Sequence, residues 1–207
     1  MEVRIKKEER GERAERNGDA IMKDSRVWGF LRIQNVVGDN RVMEKMISRN
    51  GNGRTKPPDR IKVRKSSVHG RGVFARERIR KGTRIIEYTG RRLPWKEAQD
   101  LPPLDPKNPQ HTFFFGVEED DVIDPAVGGN EARWINHSCD PNCETYEEEG
   151  RIFVHALRGL RPGEELFYDY KMIPAERRTR KVEKEFACYC GAKKCRGTML
   201  DKVRRKN

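Results

Sequence analysis

From residue 61 onward the chain repeats one pattern, a short apolar run followed by a cluster of turn residues. The runs are IKV (61–63), GVFA (72–75), TRIIEYT (83–89), TFFFGV (112–117), DVID (121–124), RIFVHAL (151–157) and ELFYDY (165–170). Turn signals such as Arg80-Lys81-Gly82 and Arg161-Pro162-Gly163 separate them. Runs this short cannot line the long apolar stripe of a helical bundle, and their close spacing predicts a mainly β domain. Two segments break the pattern. PWKEAQDL (94–101) places Pro94 at a first helical position, and PAERRTRKVEKEFA (174–187) is the other helical candidate.

At 207 residues the chain has room for one well-buried domain plus tails. Charged residues (38%) outnumber hydrophobic ones (34%), so part of it is solvated rather than packed. Residues 1–60 carry 15 Lys/Arg against 10 Asp/Glu, residues 61–170 carry 17 against 19, and residues 171–207 carry 13 against 4. An acidic middle suits a basic partner, and a basic tail suits an anion such as nucleic acid. The runs Glu118-Glu119-Asp120-Asp121 and Glu147-Glu148-Glu149 read as solvated turns. No apolar stretch has membrane-spanning length, and no membrane partner is expected. The opening residues MEVRIKKEERGERAERN lack the apolar core of a signal peptide. The expected location is a reducing one, cytoplasmic or nuclear and chromosome-associated. Residues 1–60 read as a partly disordered N-terminal extension, with 27–47 apolar enough for a hairpin or short helix and 48–60 a linker.

Five cysteines, at 139, 143, 188, 190 and 195, form two clusters. In a reduced protein such clustering points to metal before disulfides. CYCGAKKC (188–195) supplies three thiols, and structural zinc takes four ligands, so the fourth is Cys139, Cys143 or His137. Gly70-Arg71-Gly72 lacks the third glycine of a dinucleotide loop and opens no helix, yet two glycines let a ligand lie close to bare backbone. Strand alternation in EELFYDY (164–170) puts Tyr168 and Tyr170 on one face and Phe167 on the other, half-buried with solvated hydroxyls. RWINHSCDPNC (133–143) carries a sequon at Asn136-His137-Ser138, which the missing leader makes a coincidence.

Taken in order, HGRGVFA (69–75), EYTG (87–90), GNEARWINHSCDPNC (129–143), GEELFYDY (163–170) and CYCGAKKCRGTML (188–200) resemble the SET domain of protein-lysine methyltransferases. The likeness covers about 61–200, without a cysteine-rich pre-SET module, and so looks like the compact bacterial-type form. It implies several small curled β-sheets around a pseudoknot, with the SET domain over 61–173. A basic linker helix and a zinc-binding post-SET segment would follow over 174–207. It implies methyl transfer from S-adenosylmethionine to lysine in a basic protein, such as a histone, a nucleoid protein or a ribosomal protein. His69, Arg71, Gly72, Asn136, His137 and Tyr170 would hold the cofactor. Tyr170 would be catalytic, Tyr88 would line the lysine channel, and Tyr168 would favour mono- or dimethylation. Cys139 would join Cys188, Cys190 and Cys195 on Zn2+, leaving Cys143 a spare buried thiol. Two positions depart from the family pattern. Trp134 stands where Phe or Tyr is common, and Arg91 stands where an acidic residue is frequent. The alternative reading is a SET-like binding module for basic tails or nucleic acid.

Overall fold

The computed structural model describes residues 31–33, 60–102, 113–117, 120–174 and 177–202. Each apolar run becomes a strand: β2 Ile61–Lys65, β3 Arg71–Ala75, β4 Arg84–Tyr88, β6 Phe113–Gly116, β7 Asp121–Asp124, β10 Arg151–Ala156 and β11 Phe167–Tyr168. Five more join them: β1 Leu31–Ile33, β5 Arg91–Pro94, β8 Asn136–His137, β9 Cys143–Glu148 and β12 Ile173–Pro174. Their sheets are small, in the orders β12-β1-β6-β7-β5, β4-β10-β9, β11-β8 and β2-β3. The architecture is mainly β, as the run spacing predicts.

Strand β10 shows why. After exposed Arg151, its five remaining residues are all buried. A strand covered on both faces belongs in the middle of a sheet, and β10 lies between β4 and β9. At its exposed end Arg151 grips both carboxylate oxygens of Glu87. The guanidiniums of Arg84 and Arg151 lie over the Phe153 ring at 4.0 and 5.0 Å. Glu147 and Glu148 are therefore strand residues of β9 rather than a solvated turn, because Arg84 pairs with Glu148 across the sheet. Of the three glutamates only Glu149, at φ 50°, lies in the turn, with Gly150 at φ 69°. Glu118 and Glu119 lie outside the described residues.

The main core gathers Val73, Ile79, Phe115, Ile135, Ile152 and Leu166, among others. Each such side chain contributes roughly 1.5–3 kcal/mol by leaving water. A smaller cluster of Leu93, Ala98, Phe114 and Val122 packs against Trp95.

The helices are shorter than expected. Helix α1 is the single turn Trp95–Ala98, and Pro94 precedes it as N-cap while ending β5. β5 is the outer strand of its sheet, where a missing N–H leaves no ladder bond broken. Helix α2 spans Arg180–Glu185, not 174–187. Pro174 is held in β12, and the helix starts where the Thr179 hydroxyl accepts the Val182 N–H at 3.3 Å. Leu31–Ile33, within the segment read as an extension, pair with β6 and β12. The rest of 27–47, all of the 48–60 linker but residue 60, and the first 26 residues lie outside the described residues.

One pairing positions the site. β8 and β11 run parallel, with Asn136 opposite Phe167 and His137 opposite Tyr168. Buried Asn142 stitches the same segments, donating to Glu165 O at 2.7 Å and accepting the Phe167 N–H at 2.8 Å.

Candidate active site and metal centre

Beside the β8–β11 pair, β4, β6 and the β11 segment bring four aromatic rings into a line. Centroid separations are 5.0 Å from Tyr88 to Phe115, 6.2 Å from Phe115 to Tyr168 and 4.9 Å from Tyr168 to Tyr170. Tyr168 and Tyr170 share a face, as alternation requires. They are not half-buried with solvated hydroxyls, however. Tyr88, Tyr168 and Tyr170 are only 3%, 2% and 6% exposed, because the strand pairing closes over them. The Tyr170 hydroxyl donates to Ile135 O at 2.7 Å. Burial pushes all three phenols above the usual tyrosine range, with the carboxylate of Glu165 adding to the effect on Tyr170. All three stay protonated near neutrality, so none is a base.

Beside the rings lies the glycine loop. Gly70 takes φ +46°, which suits glycine, and a Cβ there would meet open space. Gly72 is different. A Cβ there would overlap the Glu165 carboxylate, so its missing side chain makes room for a protein group. Asn136 Nδ2 donates to His69 O at 3.2 Å, Arg71 O at 2.8 Å and Glu165 Oε1 at 3.0 Å. It clamps the loop to the tyrosine strand. Arg71, with its guanidinium 4.8 Å from the Trp134 ring, remains exposed beside these carbonyls, as does His69. Arg133 stands over the same indole at 4.5 Å. Arg91, at the other departure from the family pattern, pairs with Asp124 at 3.1 Å.

Both ring nitrogens of His137 have protein partners. Nδ1 accepts the Tyr170 N–H at 3.1 Å, and Nε2 lies 3.4 Å from Cys139 Sγ. Burial, opposed by Asp169, draws its pKa down to about 4, so the ring is neutral at pH 7. With Nδ1 accepting, the proton sits on Nε2 and points at the sulfur. His137 thereby links the tyrosine strand to the thiol cluster.

That cluster contains Cys139, Cys188, Cys190 and Cys195, whose sulfurs all lie within 4.8 Å of one another. Tetrahedral zinc at 2.3 Å from each sulfur requires separations of about 3.8 Å. Cys139 is 3.7 Å from Cys188 and 4.0 Å from Cys195. Backbone N–H groups of Arg196 and Gly197 approach Cys139 and Cys195 at 3.4 Å each, as thiolates require. Burial raises the Cys190 thiol, but the N–H groups of Cys139 and Ala192 outweigh it and bring it down to about 6. The donors fit structural zinc. Cys143, fully buried and pushed up to about 12 by that burial, is not in the cluster.

Asp169, between the two tyrosines, receives both Arg196 guanidinium nitrogens at 2.7 and 2.8 Å. Burial raises the Asp169 carboxyl, but Arg196 more than compensates and holds it below the usual range. The pair's contribution is thus present above that range and lost as pH falls through the lowered value. Arg196→Ala is expected to destabilise the protein by about 1.5–3 kcal/mol, the worth of charge-assisted hydrogen bonds, because the pair is only partly buried. Thermal and denaturant unfolding measure it; an unchanged midpoint would show the pair to be idle.

The comparisons with known proteins decide the family. Residues 70–171 match the family described as SET domain. "Histone-lysine N-methyltransferase TRX1" of Oryza sativa subsp. japonica is 33% identical over 192 residues, covering 88% of this chain and 18% of that protein. "Histone-lysine N-methyltransferase 2B" of Homo sapiens is 37% identical over 149 residues, covering 66% of this chain and 5% of the relative. "Histone-lysine N-methyltransferase set1" of Dictyostelium discoideum is 37% identical over 145 residues, covering 68% and 9%. The chain belongs to the SET-domain family. It spans less than a fifth of the length of each of these relatives. The SET-domain match ends at residue 171, and the cysteine segment lies beyond it.

Sequence reasoning missed four residues of this SET-domain site. Glu165 and Asp169 lie in a motif that reads for its tyrosines, Arg196 is one cation in a basic tail, and Asn142 carries no signal of its own in RWINHSCDPNC. Their partners lie far off in the chain. The one available signal is that Glu165 and Asp169 interrupt the apolar alternation of the motif carrying Tyr168 and Tyr170.

Proposed function

We propose that this chain is an S-adenosylmethionine-dependent protein-lysine N-methyltransferase acting on a basic, chromatin-associated protein such as a histone. On this reading residues 61–173 form the SET domain, 174–207 form a linker helix and zinc-binding post-SET segment, and 1–60 are an extension. The observation that carries it is the sealed ring set Tyr88, Phe115, Tyr168 and Tyr170, set against the glycine loop that Asn136 clamps.

When bound, the cofactor supplies a methyl group on a sulfonium, open to in-line displacement by a neutral amine. The amine must first lose its proton. At pH 7 that costs a free lysine on the order of 4–5 kcal/mol. Walls of buried, un-ionised phenols disfavour the ammonium and lower that cost without a carboxylate base. Tyr170 has its proton committed to Ile135 O, so its oxygen lone pairs are left to face developing positive charge and methyl C–H groups. The carbonyls of His69 and Arg71 and the Arg71 guanidinium fit the ammonium and carboxylate of an amino-acid end. Cys139, Cys188, Cys190 and Cys195 would hold the zinc, which fixes the post-SET segment against the tyrosine strand.

The test is incubation of the full chain with labelled S-adenosylmethionine and core histones. Label on lysine is expected; cofactor binding with no transfer to any protein would leave a binding module instead. The Tyr168 hydroxyl crowds the amine and favours mono-, at most dimethylation. Tyr168→Phe is expected to shift products toward higher methylation in mass spectra, and wild-type protein that already trimethylates would sink the idea.

A further inference from the structure

Ile79 and Leu160 form one antiparallel bridge, exchanging backbone hydrogen bonds at 3.1 and 2.9 Å. Both side chains are buried, at 2% and 1% exposure. Side chains alternate across extended backbone, so the flanking residues point the other way, into solvent. Arg78 and Arg80 flank Ile79, and Arg161 follows Leu160; all three are exposed, as is Lys81. Arg161 thus stands across the bridge from Arg78. Gly159, across from Arg80, adds no side chain, and Arg78, Gly159, Arg161 and Pro162 line a shallow cleft.

The carboxylates of these two loops are already taken. Glu77 pairs with Arg60 at 3.1 Å and Glu164 with Arg158 at 2.6 Å. Elsewhere Arg84, Arg91, Arg92 and Arg151 each meet a carboxylate. Among the described residues no carboxylate pairs with the side chain of Arg78, Arg80, Lys81 or Arg161; from Arg161, Glu164 accepts only the backbone N–H, at 2.9 Å. Arg78, Arg80 and Arg161 share one face of the bridge and Lys81 is exposed at the adjoining turn, and cations gathered this way repel each other unless a polyanion lies across them.

The surface also lacks what a protein partner needs. The exposed large hydrophobic residues among the described ones are Val127, Ile173 and Tyr189, all in other segments. Protein interfaces depend on buried apolar or aromatic anchors, whereas phosphodiester backbones are bound by charge and guanidinium forks alone. We propose that the Arg78, Arg80, Lys81 and Arg161 surface binds the nucleic-acid backbone without sequence preference.

The placement suits the SET domain. Strand β3 begins at the glycine loop and ends at Ala75, where the basic loop starts, a span of about 17 Å for five extended residues. If the lysine methyltransferase reading holds, a basic protein lying on the same nucleic acid would be held beside the SET domain.

Fluorescence anisotropy of the full chain on a short random-sequence DNA duplex, across a salt series, tests this without cofactor or substrate. The outcome is therefore independent of methyl transfer. Neutralising the four cations (Arg78→Gln, Arg80→Gln, Lys81→Gln and Arg161→Gln) is expected to lower the slope of log affinity against log salt by about 3–4. Glu77→Lys, a gain that misfolding cannot mimic, is expected to raise that slope by about 1 and tighten binding. A quadruple variant with wild-type slope would overturn the proposal, as would polyglutamate binding more tightly than the duplex.

Discussion

Cys195→Ser is expected to strip the protein of its zinc, about one ion per chain, and to abolish methyl transfer. Four sulfurs spaced for a tetrahedral ion lose their common tie when one ligand is removed, and such sites in small peptides yield about 10–16 kcal/mol on metal binding. No other interaction in the segment approaches that. The consequence reaches the tyrosines. Arg196 follows Cys195 directly and holds Asp169, while Cys139 meets His137, whose Nδ1 accepts the Tyr170 N–H. Releasing the sulfurs loosens both attachments at once. Metal analysis beside a transfer assay checks this, with Cys143→Ser as the control that keeps its zinc. Full zinc and full activity in Cys195→Ser would defeat the assignment.

Tyr170→Phe is expected to lower kcat by about 10²–10³, the loss typical of removing one preorganised dipole from a reacting centre. Cofactor affinity should change far less, since Asn136 and the loop backbone are untouched. Leaving Ile135 O without its donor should also cost about 1–3 kcal/mol of stability. Because burial holds the phenol well above its usual range, the pH profile should keep its shape in the variant and rise with lysine deprotonation. Steady-state kinetics decide it. A fall of less than tenfold, or a profile that loses a limb, would show that Tyr170 plays a different part.

Most of the strand pattern was legible because it is local. RIFVHAL is apolar enough to be a central strand wherever it folds, and β10 is one. The shared face of Tyr168 and Tyr170 follows from alternation alone. β8 and β12 were not legible, since Asn136-His137 and Ile173-Pro174 lie in no apolar run of the kind that carries β11. Glu147 and Glu148 looked like a turn because the cation that admits Glu148 to a strand, Arg84, lies on another strand. Pro94 looked like the start of a helix because nothing local reveals that β5 is an outer strand with room for a residue lacking an N–H.

By itself the sequence determined a mainly β chain, three clustered thiols that need one more ligand, and a paired tyrosine face beside an Asn-His segment. Spacing left Cys139, Cys143 and His137 as candidates for the fourth ligand, among which only the SET resemblance chose Cys139; it also left the tyrosines half-buried and Gly72 open to a ligand. Tertiary structure placed Cys139 within 3.7 Å of Cys188, buried Cys143 elsewhere, and turned His137 to bridge sulfur and backbone. It sealed the tyrosines and set Glu165 where a Gly72 side chain would stand. The reason is range. Alternation and spacing act over a few residues, whereas ligand choice and burial turn on ångström placements that the pairing of β8 with β11 fixes across some thirty residues of chain.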